Sequence, residues 1–171
     1  MALLTGGARF DISIKVPEWK TDIGVNGGTS QFLHQFDFFT SYENGTGANK
    51  INAVYSSPAT AISGATDVDL RASLASVLDG STVSFPIVVG VFIKNLSTTT
   101  GQYITVGAAT NPWITWLGAS GDAVRVGPGG IFALTSPVDG YATTSGTGDI
   151  LTLTPATGSP SYSMLIIGRS A

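Results

Sequence analysis

One stretch of the chain is apolar at almost every position, and it reads Val83-Ser84-Phe85-Pro86-Ile87-Val88-Val89-Gly90-Val91-Phe92-Ile93-Lys94-Asn95. Every second residue from Phe85 to Ile93 is apolar, and Val88 and Phe92 make the opposite parity partly apolar as well. A run that is apolar on both faces is typical of a strand covered on both sides. The final run, from Ser161 to Arg169, has the same character. We therefore expect both segments to be central strands of a β-sandwich.

The residues between these two segments form short strand-like runs separated by Gly, Pro, Ser and Thr. Short strands at such regular spacing are typical of an antiparallel sandwich or barrel. The turn Gly127-Pro128-Gly129-Gly130 is predicted to connect two of them tightly. The predicted fold class is an all-β, antiparallel β-sandwich. Strands are predicted over 102–106, 113–117, 123–126, 131–135, 140–144, 150–154 and 161–167.

The N-terminal region is predicted to differ from the rest. Residues 9–16 alternate polar and apolar side chains, which predicts a half-buried strand with Phe10, Ile12 and Ile14 on its apolar face. Residues 17–30 show no period and end in a Gly-rich turn. Two interpretations stay open: residues 1–30 are an arm that donates a strand to a neighbouring molecule, or they are an ordinary first strand with a loop.

The body is then predicted to span residues 31–171. It begins with an aromatic strand over 31–40 and a short strand over 51–56. Small polar residues predict a loop over 57–66. The segment 68–78 fits both a helix and a strand, and we favour a short strand followed by a turn.

Composition excludes several classes of protein. A chain of 171 residues predicts one domain, and the absence of cysteine excludes disulfides and thiolate metal sites. The net charge is −3 with no basic cluster, which argues against nucleic-acid binding. No apolar run approaches about 18 residues, so no membrane span is expected, and the first residues do not resemble a signal peptide.

Charged residues are unusually scarce. They make up 11% of the chain, whereas about 25% is typical of soluble domains. Two explanations stay open. Other subunits cover much of the surface, or Ser and Thr side chains keep a β-rich surface soluble.

No group of residues predicts catalysis. A nucleophilic triad normally needs a His base, and the one histidine, His34, lies inside the predicted aromatic strand. Asp67 and Asp69 are interpreted as solvated loop acids, with a divalent-cation site as the less favoured alternative. We expect a protein that is not an enzyme, with no cofactor and no metal.

Three aromatic side chains are candidates for surface stacking. Trp113 and Trp116 follow Asn111-Pro112, and Tyr141 lies in a later predicted strand. Exposed rings of this kind stack on sugars or anchor a protein interface. Core packing is the favoured interpretation for both tryptophans.

The C-terminal part also resembles a known family. A series of short motifs carries the resemblance over about residues 66–171: Asp69-Leu70, Val83-Ser84-Phe85, Val91-Phe92-Ile93-Lys94-Asn95, Ile104-Thr105-Val106-Gly107, Val126-Gly127-Pro128-Gly129-Gly130-Ile131-Phe132, Gly146-Thr147-Gly148-Asp149-Ile150-Leu151, Ser161-Tyr162 and Ile166-Ile167-Gly168-Arg169-Ser170. These motifs look like those of small virion structural proteins encoded by tailed bacteriophages and prophages. The resemblance implies a jelly-roll-like sandwich that works inside an assembled particle.

The function that we expect from this resemblance is capsid decoration, in which a cement protein binds across major capsid protein subunits and stabilises the expanded head. The expected partners are the major capsid protein and further copies of the chain, with a homotrimer favoured. The expected location is the outer capsid surface of the virion, after assembly in the host cytoplasm. Phe10, Ile12, Ile14 and Trp19 are the predicted interface residues. The alternative is a tail- or fibre-associated receptor- or glycan-binding module that uses the three aromatic side chains named above.

Overall fold

The computed structural model describes residues 10–15, 22–25, 28–31, 37–75 and 80–170, and these residues form strands and turns without a helix. The predicted all-β class is therefore confirmed. The strands are β1 Phe10–Lys15, β2 Asp22–Val25, β3 Gly28–Gln31, β4 Asp37–Asn44, β5 Lys50–Ile51, β6 Ala53–Ala61, β7 Thr66–Asp69, β8 Leu74–Ala75, β9 Thr82–Val83, β10 Ile87–Asn95, β11 Ile104–Gly107, β12 Ala123–Val126, β13 Ile131–Thr135, β14 Tyr141–Ala142, β15 Ile150–Pro155 and β16 Ser161–Arg169.

The first main sheet has the order β13-β10-β16-β6, and β14 pairs with the start of β10. The two longest apolar segments of the sequence, β10 and β16, lie side by side in its centre. They run antiparallel from Ile87 opposite Arg169 to Asn95 opposite Tyr162. The prediction that both are central strands is confirmed.

The second main sheet has the order β12-β11-β15-β7, and all of its pairings are antiparallel. Its two inner strands supply buried aliphatic side chains that meet those of the first sheet. Apolar surface removed from water in this way contributes about 1.5–3 kcal/mol for each fully buried aliphatic residue. The core between the sheets includes Val91, Ile93, Met164 and Ile166 from the first sheet and Ile104, Val106, Leu151 and Leu153 from the second.

The chain crosses repeatedly from one sheet to the other. Strands β6, β10, β13 and β16 belong to the first sheet, and β7, β11, β12 and β15 belong to the second. The crossing from β12 to β13 uses the predicted Gly-rich turn, in which Gly129 has a φ of +71° and the Gly130 amide donates to the Gly127 carbonyl. A left-handed φ is strained for residues with a Cβ, so glycine suits this position.

One buried polar side chain at the end of β10 connects the two sheets through hydrogen bonds. Asn95 is fully buried at the end of β10, and its amide group donates to the carbonyls of Gln102, at 2.8 Å, and Val126, at 3.2 Å. Its side-chain oxygen accepts from the backbone amide of Ser97 at 3.0 Å. Gln102 lies just before β11, and Val126 is the last residue of β12. These bonds therefore connect the first sheet to the second and satisfy the hydrogen-bonding groups of the buried amide.

Two predicted elements are wrong. Residues 113–117 form no strand and instead belong to an irregular segment that places Trp113 in the core. The predicted loop over 57–66 begins too early, since β6 continues to Ala61. Pro58 is tolerated because β6 is an edge strand and its register with β16 shifts at this point.

The N-terminal part forms smaller sheets. The order β1-β4-β5 defines one of them. Strands β2 and β3 pair antiparallel and lie almost entirely in the 17–30 segment, for which the sequence showed no period. The predicted aromatic strand over 31–40 overlaps β3 and β4, which begins at Asp37. Strand β7 and the turn after it agree with the favoured interpretation of the 68–78 segment, of which residues 76–79 lie outside the described residues.

Candidate interaction surface

The first main sheet has apolar side chains on both of its faces. Along β10, Val91 and Ile93 belong to the core between the sheets, whereas Val89 belongs to a second cluster on the outer face. Phe92 and Leu165 are half-buried and pack against this second cluster. A sheet in a two-layer sandwich needs only one apolar face, so the apolar residues on the outer face indicate a second packing surface.

Part of this outer face is covered by the chain itself. Tyr42 from β4 and Ile51 from β5 lie with Val54, Val89 and Ile167, and all five side chains are buried. The segment around β4 and β5 therefore covers part of the outer face.

The rest of this face contains an apolar strip, which we define as Phe92, Ile131, Ala133 and Leu165. Phe92 pairs with Ala133 on one side and with Leu165 on the other, so the three residues form one row across the sheet. Ile131 pairs with Lys94 in the next row, and 58% of its surface is exposed. The strip is the apolar part of this face that described residues leave partly open.

Gly90 makes room for the largest side chain of the strip. A Cβ added at Gly90 would lie 3.2 Å from Cε2 of Phe92 and 3.2 Å from Cγ1 of Ile167. Both distances are tighter than ordinary van der Waals contact. The glycine thus allows the Phe92 ring to lie close against the sheet.

Arg169 holds the covered end of the outer face in place. It is 95% buried, and its guanidinium donates to four backbone carbonyls: Lys50 at 3.2 Å, Pro137 at 2.7 Å, Val138 at 2.9 Å and Asp139 at 3.3 Å. Hydrogen bonds from a charged donor are stronger than those from a neutral donor. The cation therefore ties β5 and the loop 136–140 to the end of β16.

Three of the four predicted interface residues lie in β1, which pairs with β4 of the same chain. Phe10 is opposite Tyr42, Ile12 is opposite Thr40, and Ile14 is opposite Phe38. Directly paired residues belong to one face of an antiparallel ribbon. The sequence and register thus give the β1–β4 ribbon one face that is apolar at five of these six positions. The fourth predicted residue, Trp19, lies outside the described residues.

The predicted stacking residues form an aromatic cluster rather than a set of exposed rings. Trp113 is only 2% exposed, and its Nε1 donates to the Ala142 carbonyl at 3.1 Å. Its ring centroid lies 5.8 Å from that of Trp116 and 6.1 Å from that of Tyr141. For Trp113 the favoured interpretation, core packing, is confirmed, and the alternative of surface stacking is wrong, because its ring is enclosed in the core. Trp116 and Tyr141 are half-buried beside it, and for these two residues stacking stays a prediction.

Three acidic side chains of the body hold local structure through hydrogen bonds. Asp67 accepts a hydrogen bond from the Thr152 hydroxyl, and Asp69 accepts from the backbone amides of Arg71 and Ala72. Asp149 is buried and accepts from the backbone amide of Gly146. Within the described ranges no three His, Cys, Asp or Glu side chains lie close enough together to hold a metal ion. His34 falls in the undescribed segment 32–36.

One tyrosine at the edge of the first sheet has a raised pKa. Burial raises the pKa of Tyr55 above its ordinary value of 10.0, and the neighbouring Tyr162 raises it further. A hydrogen bond with Ser57 acts in the opposite direction. Because burial disfavours the charged phenolate, Tyr55 stays neutral at any physiological pH.

Comparisons with protein-family models, with curated proteins and with solved structures find no match for this chain. In the part of the chain that the structure describes, no helix is long and apolar enough to cross a membrane.

Proposed function

We propose that this protein is a virion structural protein of a tailed bacteriophage, and specifically a capsid decoration protein. The observation that carries the proposal is the apolar outer face of the first sheet, which the chain covers in part and leaves partly open at the apolar strip. A surface of this kind marks a protein interface. A protein that carries an apolar patch on an outer face is suited to work in an assembly.

The strand order supports the same class. The four main strands of the first sheet have the order β6-β16-β10-β13, those of the second have the order β7-β15-β11-β12, and this order supports the proposal of a jelly-roll-like sandwich. Jelly rolls occur in viral capsid proteins, lectins and cupins. A metal-dependent cupin is disfavoured, because the described residues contain no cluster of metal-ligating side chains.

The proposed mechanism is mechanical. The protein binds across neighbouring major capsid protein subunits in a geometry that exists only after the head has expanded. Binding to the expanded state alone stabilises that state by mass action. Several linked copies on a regular lattice bind more tightly than one copy does.

Co-sedimentation tests this proposal directly. The purified full-length chain is mixed with expanded heads and, as a matched control, with unexpanded proheads of a phage that encodes it. We expect binding to expanded heads that saturates at a fixed ratio to capsid subunits, with at least tenfold weaker binding to proheads. Failure to sediment with expanded heads would refute capsid decoration.

The second candidate is a receptor- or glycan-binding module of the tail. The half-buried rings of Trp116 and Tyr141, which lie beside the buried Trp113, favour it. Binding to host polysaccharide that is lost in a Trp116→Ala variant, together with no binding to heads, would establish this function instead.

A further inference from the structure

We propose that the apolar strip is covered by the β1–β4 ribbon of a second copy of this chain. The second copy would thus be the partner of the apolar strip, which the fold leaves partly exposed. Such an exchange of ribbons between copies goes beyond the proposed function, since it does not depend on a capsid.

The ribbon has the pattern that the strip requires. By register, the residues that share a face of the ribbon with Tyr42 are Phe10, Ile12, Ile14, Phe38 and Thr40. Tyr42 itself is buried in the outer-face cluster. Tyr42 thus identifies the face of the ribbon that packs on the outer face of the sheet. By register, the same face carries mostly apolar residues along the rest of the ribbon.

The dimensions agree. Six paired residues of an antiparallel ribbon extend about 20 Å. A sheet of four strands spaced by about 4.8 Å is of nearly the same width. One ribbon is thus long enough to cross the row Ala133, Phe92, Leu165 from edge to edge.

The ribbon of the same chain does not supply this cover. With the single chain in place, Ile131 keeps 58% of its surface exposed, and Ala133 is exposed as well. Strand β4 makes most of its contacts with β1 and β5, and its Tyr42 side chain reaches the outer-face cluster beside the strip. In a pair or ring of chains, each ribbon would cover the strip of a neighbour. Such exchange closes into a symmetric oligomer.

The absence of cysteine allows a crosslinking test. One population carries Thr40→Cys in the ribbon, a second, mass-tagged population carries Ala133→Cys in the strip, and the two are refolded together and oxidised. We expect a disulfide-linked heterodimer at a yield at least fivefold above that of the control pair Ser41→Cys with Ala133→Cys. Ser41 is next to Thr40 but belongs to the opposite parity of the ribbon.

Two results would overturn the proposal. A disulfide that closes only within a single chain carrying both cysteines would place the ribbon on its own sheet. Equal yields for the Thr40 and Ser41 pairs would show that the ribbon does not bind the strip by its apolar face.

Sedimentation velocity gives a second readout that needs no crosslink. Ile131 and Val138 are 58% and 57% exposed, so Ser at either position is compatible with folding, and only Ile131 lies in the strip. We expect a wild-type oligomer whose dissociation constant rises about tenfold with Ile131→Ser and stays unchanged with Val138→Ser. A monomeric wild type, or equal effects of the two substitutions, would contradict the proposal.

Discussion

Replacement of Arg169 by Met probes how the covered part of the outer face is held. The guanidinium makes four hydrogen bonds to backbone carbonyls of β5 and the loop 136–140. If each bond contributes about 1 kcal/mol net, complete loss would cost about 4 kcal/mol. Part of this cost is offset, because Val138 is exposed and water can reach the loop carbonyls. The methionine also avoids the cost of burying a cation. We therefore expect the free energy of unfolding to fall by about 2–3 kcal/mol.

Urea denaturation at one fixed protein concentration measures this change, with tryptophan fluorescence and far-UV circular dichroism as probes. Arg125→Met is the matched control, since Arg125 is exposed and its guanidinium carbon lies 4.8 Å from the centre of the Tyr103 ring. The control should cost less than about 1 kcal/mol. Arg169→Lys should fall between the two, because an ammonium group has three donors and no planar fork. Equal losses for Arg169→Met and Arg125→Met would refute the role assigned to the buried cation.

Three further predictions concern the core. Trp113→Phe should lower the free energy of unfolding by about 1–3 kcal/mol, because packing and the hydrogen bond to Ala142 are lost. Any glycan binding should stay unchanged. A loss of glycan binding in a fully folded variant would contradict the placement of Trp113 in the core. Gly168→Ala should cost about 2 kcal/mol or more, because the added Cβ would clash with the adjacent strand β10, whereas Gly64→Ala, with nothing within 4 Å, should change stability by less than about 0.5 kcal/mol; thermal melts of both variants check this contrast. Tyr55 has a raised pKa in the folded state, so the stability that it contributes is present below pH 10 and is lost as the pH rises through the folded pKa. The variant Tyr55→Phe should therefore flatten the decline of the unfolding free energy above pH 10. An unchanged slope would contradict this prediction.

The central part of the fold could be predicted because its signal is local. Strands β12 and β13 were predicted at their observed bounds, since short apolar runs stand between glycine-rich turns there. The run at 113–117 has equally apolar residues, yet it forms no strand. Trp113 reaches the core from an irregular segment in which its backbone amide donates to the carbonyl of Ile150. Such long-range pairing leaves no periodic trace in a sequence.

The candidate surface was predictable only in part. Apolar residues on both parities of β10 and β16 indicated strands covered on both faces, and the structure identifies the second face as an outer one. The sequence did not indicate that Arg169 would be buried. Its partners are backbone carbonyls of β5 and of a loop more than 25 residues away. Every residue type has a backbone carbonyl, so the sequence does not indicate which ones the guanidinium binds.

A density map of the particle that contains this protein tests the central claim most directly. The account predicts many copies of a two-sheet β-sandwich on the outer surface of the expanded head, placed across boundaries between major capsid protein subunits. Density for the sandwich confined to the tail, with a bare outer shell, would contradict it.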